Sequence, residues 1–261
     1  FNARSAEFSE AVRDLARTNY DSDRREDGYY FGNTERGKND IVLLGDSHAR
    51  MLIPVLARHL KLKHWKGFHP HRENFYTDFL QVDNIMSNSS NTLLNEIEEY
   101  ANESKAIILS FRHSRSDNNS FYVPIYRVPP KAYFEILYER LNQLLNFVPK
   151  VIVIGPFPES PYWGPNLGRN YFQPNKTFDT SVSKFEGSQR DLLRFLSSIS
   201  KENSKIDVIY PHFFLSEMNS YLVHQVIDEV TLQHLPLYYD DDHVNRLGSD
   251  EIIKALIKRL E

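Results

Sequence analysis

The chain has 261 residues, 41% of them hydrophobic, and a formal net charge of -4 at pH 7. That is enough apolar material for one large domain with a full core, and the mildly acidic balance provides no basic field for phosphates and so excludes nucleic acid as the expected partner. With no cysteine there is no disulfide, thiolate metal site or cysteine nucleophile.

In chain order, residues 6–18 read as a helix with Phe8, Val12, Leu15 and Ala16 on one face. The polar, turn-rich stretch NYDSDRREDGYYFGNTERGKND follows, so residues 1–36 are read as an N-terminal helical extension ahead of a domain over 37–261. The chain opens on Phe1 without a signal-peptide core, and no apolar run approaches the roughly 20 residues of a membrane span. The expectation is that an upstream segment has been removed. Short apolar runs then alternate with longer amphipathic ones. IVLL (41–44), a weaker HWKGF (64–68), AIILSF (106–111), VIVIG (151–155) and IDVIY (206–210) have the two-sided apolar character of buried parallel strands. Helical patterns lie between them at 49–60, 92–103, 131–147 and 182–202, and SDEIIKALIKRL closes the chain with Ser249 or Asp250 as its N-cap. This is a doubly wound α/β pattern with a parallel five-stranded sheet, whose functional loops gather at the carboxyl edge of the strands.

Ser47 falls at that edge, just after the first strand and at the start of the first helix. Gly45 allows a sharp turn, and the N–H groups of a helix start can stabilise an oxyanion. Ser47 or Asp46 could equally serve only as a cap. A serine nucleophile needs a base with an orienting carboxylate. YYDDDHVNRLGSDEII supplies both: Asp240 stands three residues before His243 in a turn ahead of the last helix, and Asp241 and Asp242 are adjacent alternatives for the carboxylate. The acidic cluster lacks the glycine-containing loop and spaced ligands of a calcium site.

GDSHA after the first strand and Asp-x-x-His before the last helix together resemble the SGNH hydrolase superfamily. The resemblance covers residues 37–261 and implies a three-layer α/β/α, flavodoxin-like domain. More narrowly, GDSHARMLIPVLARHL, SKAIILSFRHS and VIVIGPFPESP look like the domains fused to the C-terminus of membrane acyltransferases of the acyltransferase-3 family, among them bacterial O-antigen O-acetyltransferases. The resemblance implies a serine-dependent acetyl transfer to a sugar hydroxyl with Ser47, Asp240 and His243 as triad. The acetyl donor would come from a membrane-embedded partner domain, the acceptor would be a lipopolysaccharide O-antigen sugar, and the work would be done on the periplasmic side. No metal or organic cofactor is needed for this chemistry. A carbohydrate esterase and a non-catalytic sugar-binding domain on the same scaffold are the alternatives.

The superfamily draws oxyanion donors from a Gly and an Asn in its second and third sequence blocks. Here the third block reads LSFRHS without asparagine, so Ser110 or Arg112 is the candidate donor, and Gly67 in HWKGFHPH lies in the region of the second. The Ser47 amide is a further donor. His48 is expected to pack or hydrogen-bond locally. His64, His69 and His71 have no carboxylate at ligand spacing, so no metal is expected there. GPFPESPYWGPNLGRNYFQPNKTF follows the fourth strand at the functional edge. Its Tyr162, Trp163, Tyr171 and Phe172 could lie against a sugar ring, with Arg169 and Asn170 on hydroxyls, or could cap the core.

Overall fold

The computed structural model describes residues 22–35, 37–70, 79–80, 88–116, 122–124, 130–159, 180–217, 220–221, 224–228, 233–238 and 243–261. The helix read over 6–18 lies outside them. A seven-stranded sheet is built from β1 (Ser22–Arg24), β2 (Gly28–Gly32), β3 (Ile41–Gly45), β4 (Lys66–Pro70), β5 (Ala106–Ser110), β6 (Val151–Ile154) and β7 (Ile206–Ile209), in the order β1-β2-β4-β3-β5-β6-β7. The five strands expected from their apolar runs form the parallel part. The sheet is wider than five strands, because β2 pairs antiparallel with β4 and β1 antiparallel with β2. Both come from the stretch read as extension. Phe31 anchors them: its side chain is fully buried in the core layer that also holds Ile41 and Leu43 of β3.

The helices are α1 (Ser47–Arg50), α2 (Ile53–Leu62), α3 (Asn88–Ala101), α4 (Pro130–Leu144), α5 (Val182–Glu202) and α6 (Arg246–Leu260). The single helix expected over 49–60 is two, because Pro54 sits in the first turn of α2, where a missing N–H does no harm. Alternation along the strands sorts the core into two layers. Ile41, Leu43, Ile108, Ile152 and Ile154 face α2 and α6, meeting Leu56, Leu60, Ile252 and Leu256. Val42, Leu44, Ile107, Leu109, Val151 and Val153 face α3, α4 and α5, meeting Ile97, Leu137, Leu141, Leu192 and Leu196. Each such fully buried aliphatic side chain contributes about 1.5–3 kcal/mol. The result is the expected three-layer α/β/α arrangement. Among the described residues no helix is long and apolar enough to cross a membrane.

The parallel strands run β4-β3-β5-β6-β7, the doubly wound order in which the chain leaves β3 toward one edge and β5 toward the other. Right-handed crossovers in opposite directions put α2 on one face and α3 to α5 on the other. The crevice between the carboxyl ends of β3 and β5 is therefore the switch point at which sheets of this order generally receive ligands, and Gly45 and Ser110 are register partners across it.

Candidate active site

Gly45 ends β3 with φ +152°, and a Cβ there would lie 1.8 Å from the Ser110 carbonyl oxygen and 2.8 Å from Ala49 Cβ. Only glycine allows β3 to approach β5 so closely while turning into α1. Asp46 is the N-cap of α1: its Oδ1 accepts from the His48 amide at 2.8 Å. The His48 Nδ1–H donates to the same oxygen at 3.2 Å, and the Arg112 amide donates to Oδ2 at 3.2 Å. Burial pushes the Asp46 carboxyl up, but the hydrogen bonds and charge of His48 and the Arg112 amide outweigh it and hold the group below the usual carboxylate range. With Asp46 capping, Ser47 stands half-buried as the first residue of α1.

The other half comes from the segment before α6. Tyr238 and Val244 form an antiparallel bridge, the Asn245 amide donates to the Leu237 carbonyl at 2.8 Å, and the buried Tyr238 hydroxyl donates to the Pro158 carbonyl at 2.7 Å. These ties, with Val244 in the core, leave His243 half-buried at the rim, its Nε2 2.6 Å from Ser47 Oγ. The N-cap of α6 is Asn245 and not Ser249 or Asp250. Its side chain accepts from the Leu247 and Gly248 amides at 2.9 and 3.2 Å, whereas the Ser249 hydroxyl donates back to the Asn245 carbonyl and Asp250 pairs with Arg58 and Lys254. The helix thus begins a turn earlier, with its cap two residues after His243. Asp240 and its neighbours Asp241 and Asp242 lie outside the described residues, as do Tyr162, Trp163, Arg169, Asn170, Tyr171, Phe172 and His71.

The donors expected beside Ser47 are placed as follows. Gly67 pairs with Ile41 at the start of β4, at the opposite end of the strands from Ser47. It does not meet the expectation of an oxyanion donor; its lack of a side chain makes room for the Phe31 ring, which a Cβ would approach to 2.1 Å. Ser110 is fully buried and its single hydroxyl hydrogen goes to the His48 carbonyl, 3.3 Å away. The Arg112 guanidinium pairs with Glu159, Nη2 to Oε1 2.8 Å, and the Arg112 amide serves Asp46, so the residue braces the corner. His69 is buried in β4, its Nδ1–H donating to the Leu43 carbonyl at 2.8 Å, and His64 sits on the turn after α2. Among the described residues no three His, Cys, Asp or Glu side chains are grouped to hold a metal ion.

Sequence reasoning missed the Arg112–Glu159 pair and the bracing of Asp46. No local pattern links residues that meet only when loops from β3, β5 and β6 converge. His113 is a further buried residue at this edge. Its Nε2–H donates to the Ile154 carbonyl at 3.3 Å and its Nδ1 lies 3.0 Å from the Tyr133 hydroxyl. Burial pushes its pKa down to about 4, against the raising effects of the Ile154 carbonyl and Asp46.

Compared with solved structures, the chain is similar to the periplasmic domain of a lipopolysaccharide acetyltransferase from Salmonella ser. Paratyphi A, at 16% identity over 99% of this chain and 97% of that one, with a TM-score of 0.62. It is also similar, at 12% identity over 88% of this chain and 94% of the other and a TM-score of 0.45, to a candidate acylhydrolase from Bacteroides fragilis NCTC 9343. No curated protein matches it in sequence. The family model of the SGNH domain that is fused to AT3 domains matches residues 14–258, from before β1 to within α6, and the chain accordingly belongs to that family.

Proposed function

We propose that this domain transfers an acetyl group through Ser47 to a sugar hydroxyl, as the terminal step of O-antigen acetylation in lipopolysaccharide. The observation that carries the reading is the 2.6 Å approach of His243 Nε2 to Ser47 Oγ at the switch-point crevice. A serine hydroxyl at ordinary pH is a weak nucleophile, and an imidazole nitrogen at hydrogen-bond distance removes that limitation.

In the first half-reaction Ser47 Oγ bonds to the acetyl carbonyl carbon while its proton passes to His243 Nε2. The carbonyl oxygen becomes an oxyanion facing the Ser47 amide at the start of α1. The tetrahedral intermediate collapses by breaking the bond to the donor, and the departing group takes the proton from His243. In the second half the sugar hydroxyl attacks the acetyl-serine, His243 accepts its proton, and Ser47 leaves with that proton restored. Asp240 orients the imidazole through Nδ1–H. Family membership supports acyl transfer and an AT3 membrane domain as the source of the acetyl group. The similar Salmonella domain, periplasmic and part of a lipopolysaccharide acetyltransferase, supports the acceptor and the compartment.

Acetylation of O-antigen, measured in cells carrying the full fusion, is expected to fall by a factor on the order of 10⁴ or more in Ser47→Ala and in His243→Ala. Unchanged acetylation in both variants refutes the chemistry and leaves a sugar-positioning role. Supplying the chain with an activated acetyl ester, with and without a sugar acceptor, separates transfer from hydrolysis: acetate released at the same rate regardless of sugar makes it an esterase.

A further inference from the structure

We propose that His48 is a positioning residue for His243: its imidazole, packed against the His243 ring, holds the base in the orientation that aims Nε2 at Ser47 Oγ. The inference rests on the reading of Ser47 as nucleophile and goes beyond it. The His48 ring lies against the His243 ring, centroids 4.7 Å apart and planes 30° apart, and has Phe157 as a second aromatic neighbour at 5.9 Å. It is buried, whereas His243 stands half-buried at the rim of a loop.

His48 is suited to act as a wall because it is itself tied down. Its amide and Nδ1–H both donate to Asp46 Oδ1, at 2.8 and 3.2 Å, and its carbonyl accepts from the Ser110 hydroxyl at 3.3 Å. Asp46 is held in turn by the Arg112 amide. The ring's orientation is therefore set by β3, β5 and α1 together and not by the loop that carries His243. Ser47 and His48 also share the single turn of α1, so the nucleophile and the surface that orients its base move as one piece. A base that drifts by about 1 Å from the attacking oxygen loses on the order of 100-fold in rate, and a buried ring packed against it is a direct way to remove that drift. His48 is not itself the base: its Nδ1 is directed to Asp46, and Ser47 Oγ lies beside His243.

Three substitutions separate the ring face from the Asp46 hydrogen bond. His48→Phe keeps a flat ring and loses Nδ1, His48→Asn keeps a polar partner for Asp46 and loses the ring, and His48→Ala loses both. Two readouts apply: kcat and KM for p-nitrophenyl acetate, and the rate of covalent labelling of Ser47 by a fluorophosphonate, which needs no acceptor. In His48→Ala and His48→Asn, kcat and the labelling rate are expected to fall about 10- to 100-fold with KM nearly unchanged, and His48→Phe is expected to recover most of the loss. Unchanged kcat in His48→Ala, a loss confined to KM, or recovery by Asn and not by Phe overturns the positioning role. Ser47→Ala keeps the two readings apart. If it reacts as fast as the parent, or if the parent reacts with neither probe, the nucleophile reading fails; if it is inert while His48→Ala is not impaired, only the positioning role fails.

Discussion

The buried His113 predicts how the domain loses stability in acid. Its ring is enclosed, lies 3.9 Å from the Phe111 ring, and in the neutral form is matched on both nitrogens: Nε2–H donates to Ile154 and Nδ1 accepts from Tyr133. An added proton would charge a ring that water does not reach. The unfolded chain takes up that proton near pH 6.5, the folded chain only near 4. His113 therefore leaves stability intact above pH 6.5 and removes it as the pH falls toward 4, at about 1.4 kcal/mol per pH unit, reaching about 3 kcal/mol. Against a total of about 5–15 kcal/mol for a folded domain this is a large fraction. With a urea slope of about 3 kcal/mol per molar, the midpoint moves down by about 1 M between pH 7 and pH 4 on account of this residue alone. His212, buried and also pushed down to about 4 by its burial, adds a loss of the same sign in the same window. The comparison that isolates His113 is the parent against His113→Gln, an amide able to meet both partners without titrating. The variant's urea midpoint should depend less on pH from 6.5 to 4, whatever its stability at pH 7. Equal slopes in the two proteins would refute the reasoning.

Gly45→Ala is expected to destabilise by about 2–5 kcal/mol, since the methyl must enter the space of the Ser110 carbonyl at a backbone angle that side chains rarely adopt. Urea unfolding measures the loss, and the part that stays folded should label at Ser47 far more slowly. Asn245→Ala removes the cap of α6 and should lower stability by about 1–2 kcal/mol. Because Asn245 also ties down the residues next to His243, kcat for an activated ester should drop in the same variant; a stability loss with unchanged kcat would show that the cap does not position the histidine.

Much of the scaffold is legible in the sequence because its signals are local. The run Ile41–Leu44 is apolar at every position, and a stretch of that kind has no stable place except between two helical layers. The pattern over 182–202 coincides with α5 because leucine, phenylalanine and isoleucine recur at helical spacing there. The edge strands β1 and β2 read as extension because their glycines, tyrosines and charges are those of a turn-rich loop. A strand at the edge of a sheet needs few buried side chains, and Phe31 alone carries most of that signal. The helix break at Pro54 and the cap at Asn245 are available as residue types, yet choosing Asn245 over Ser249 depends on where the Tyr238–Val244 bridge delivers the chain.

For the site, residue identity determined the chemical repertoire: a serine after a glycine corner, a histidine before the last helix, and no cysteine. Which groups face one another was a matter for the tertiary structure alone. Side-chain periodicity records the environment of each residue, apolar or wet, but carries no address for a partner far along the chain. The strand order brings the carboxyl ends of β3 and β5 together, and the packing of α6 against α2 returns the C-terminal segment to that crevice. His243 reaches Ser47, Arg112 turns to Glu159 and Asp46, and Gly67 is carried to the far end of the sheet as consequences of how the layers pack.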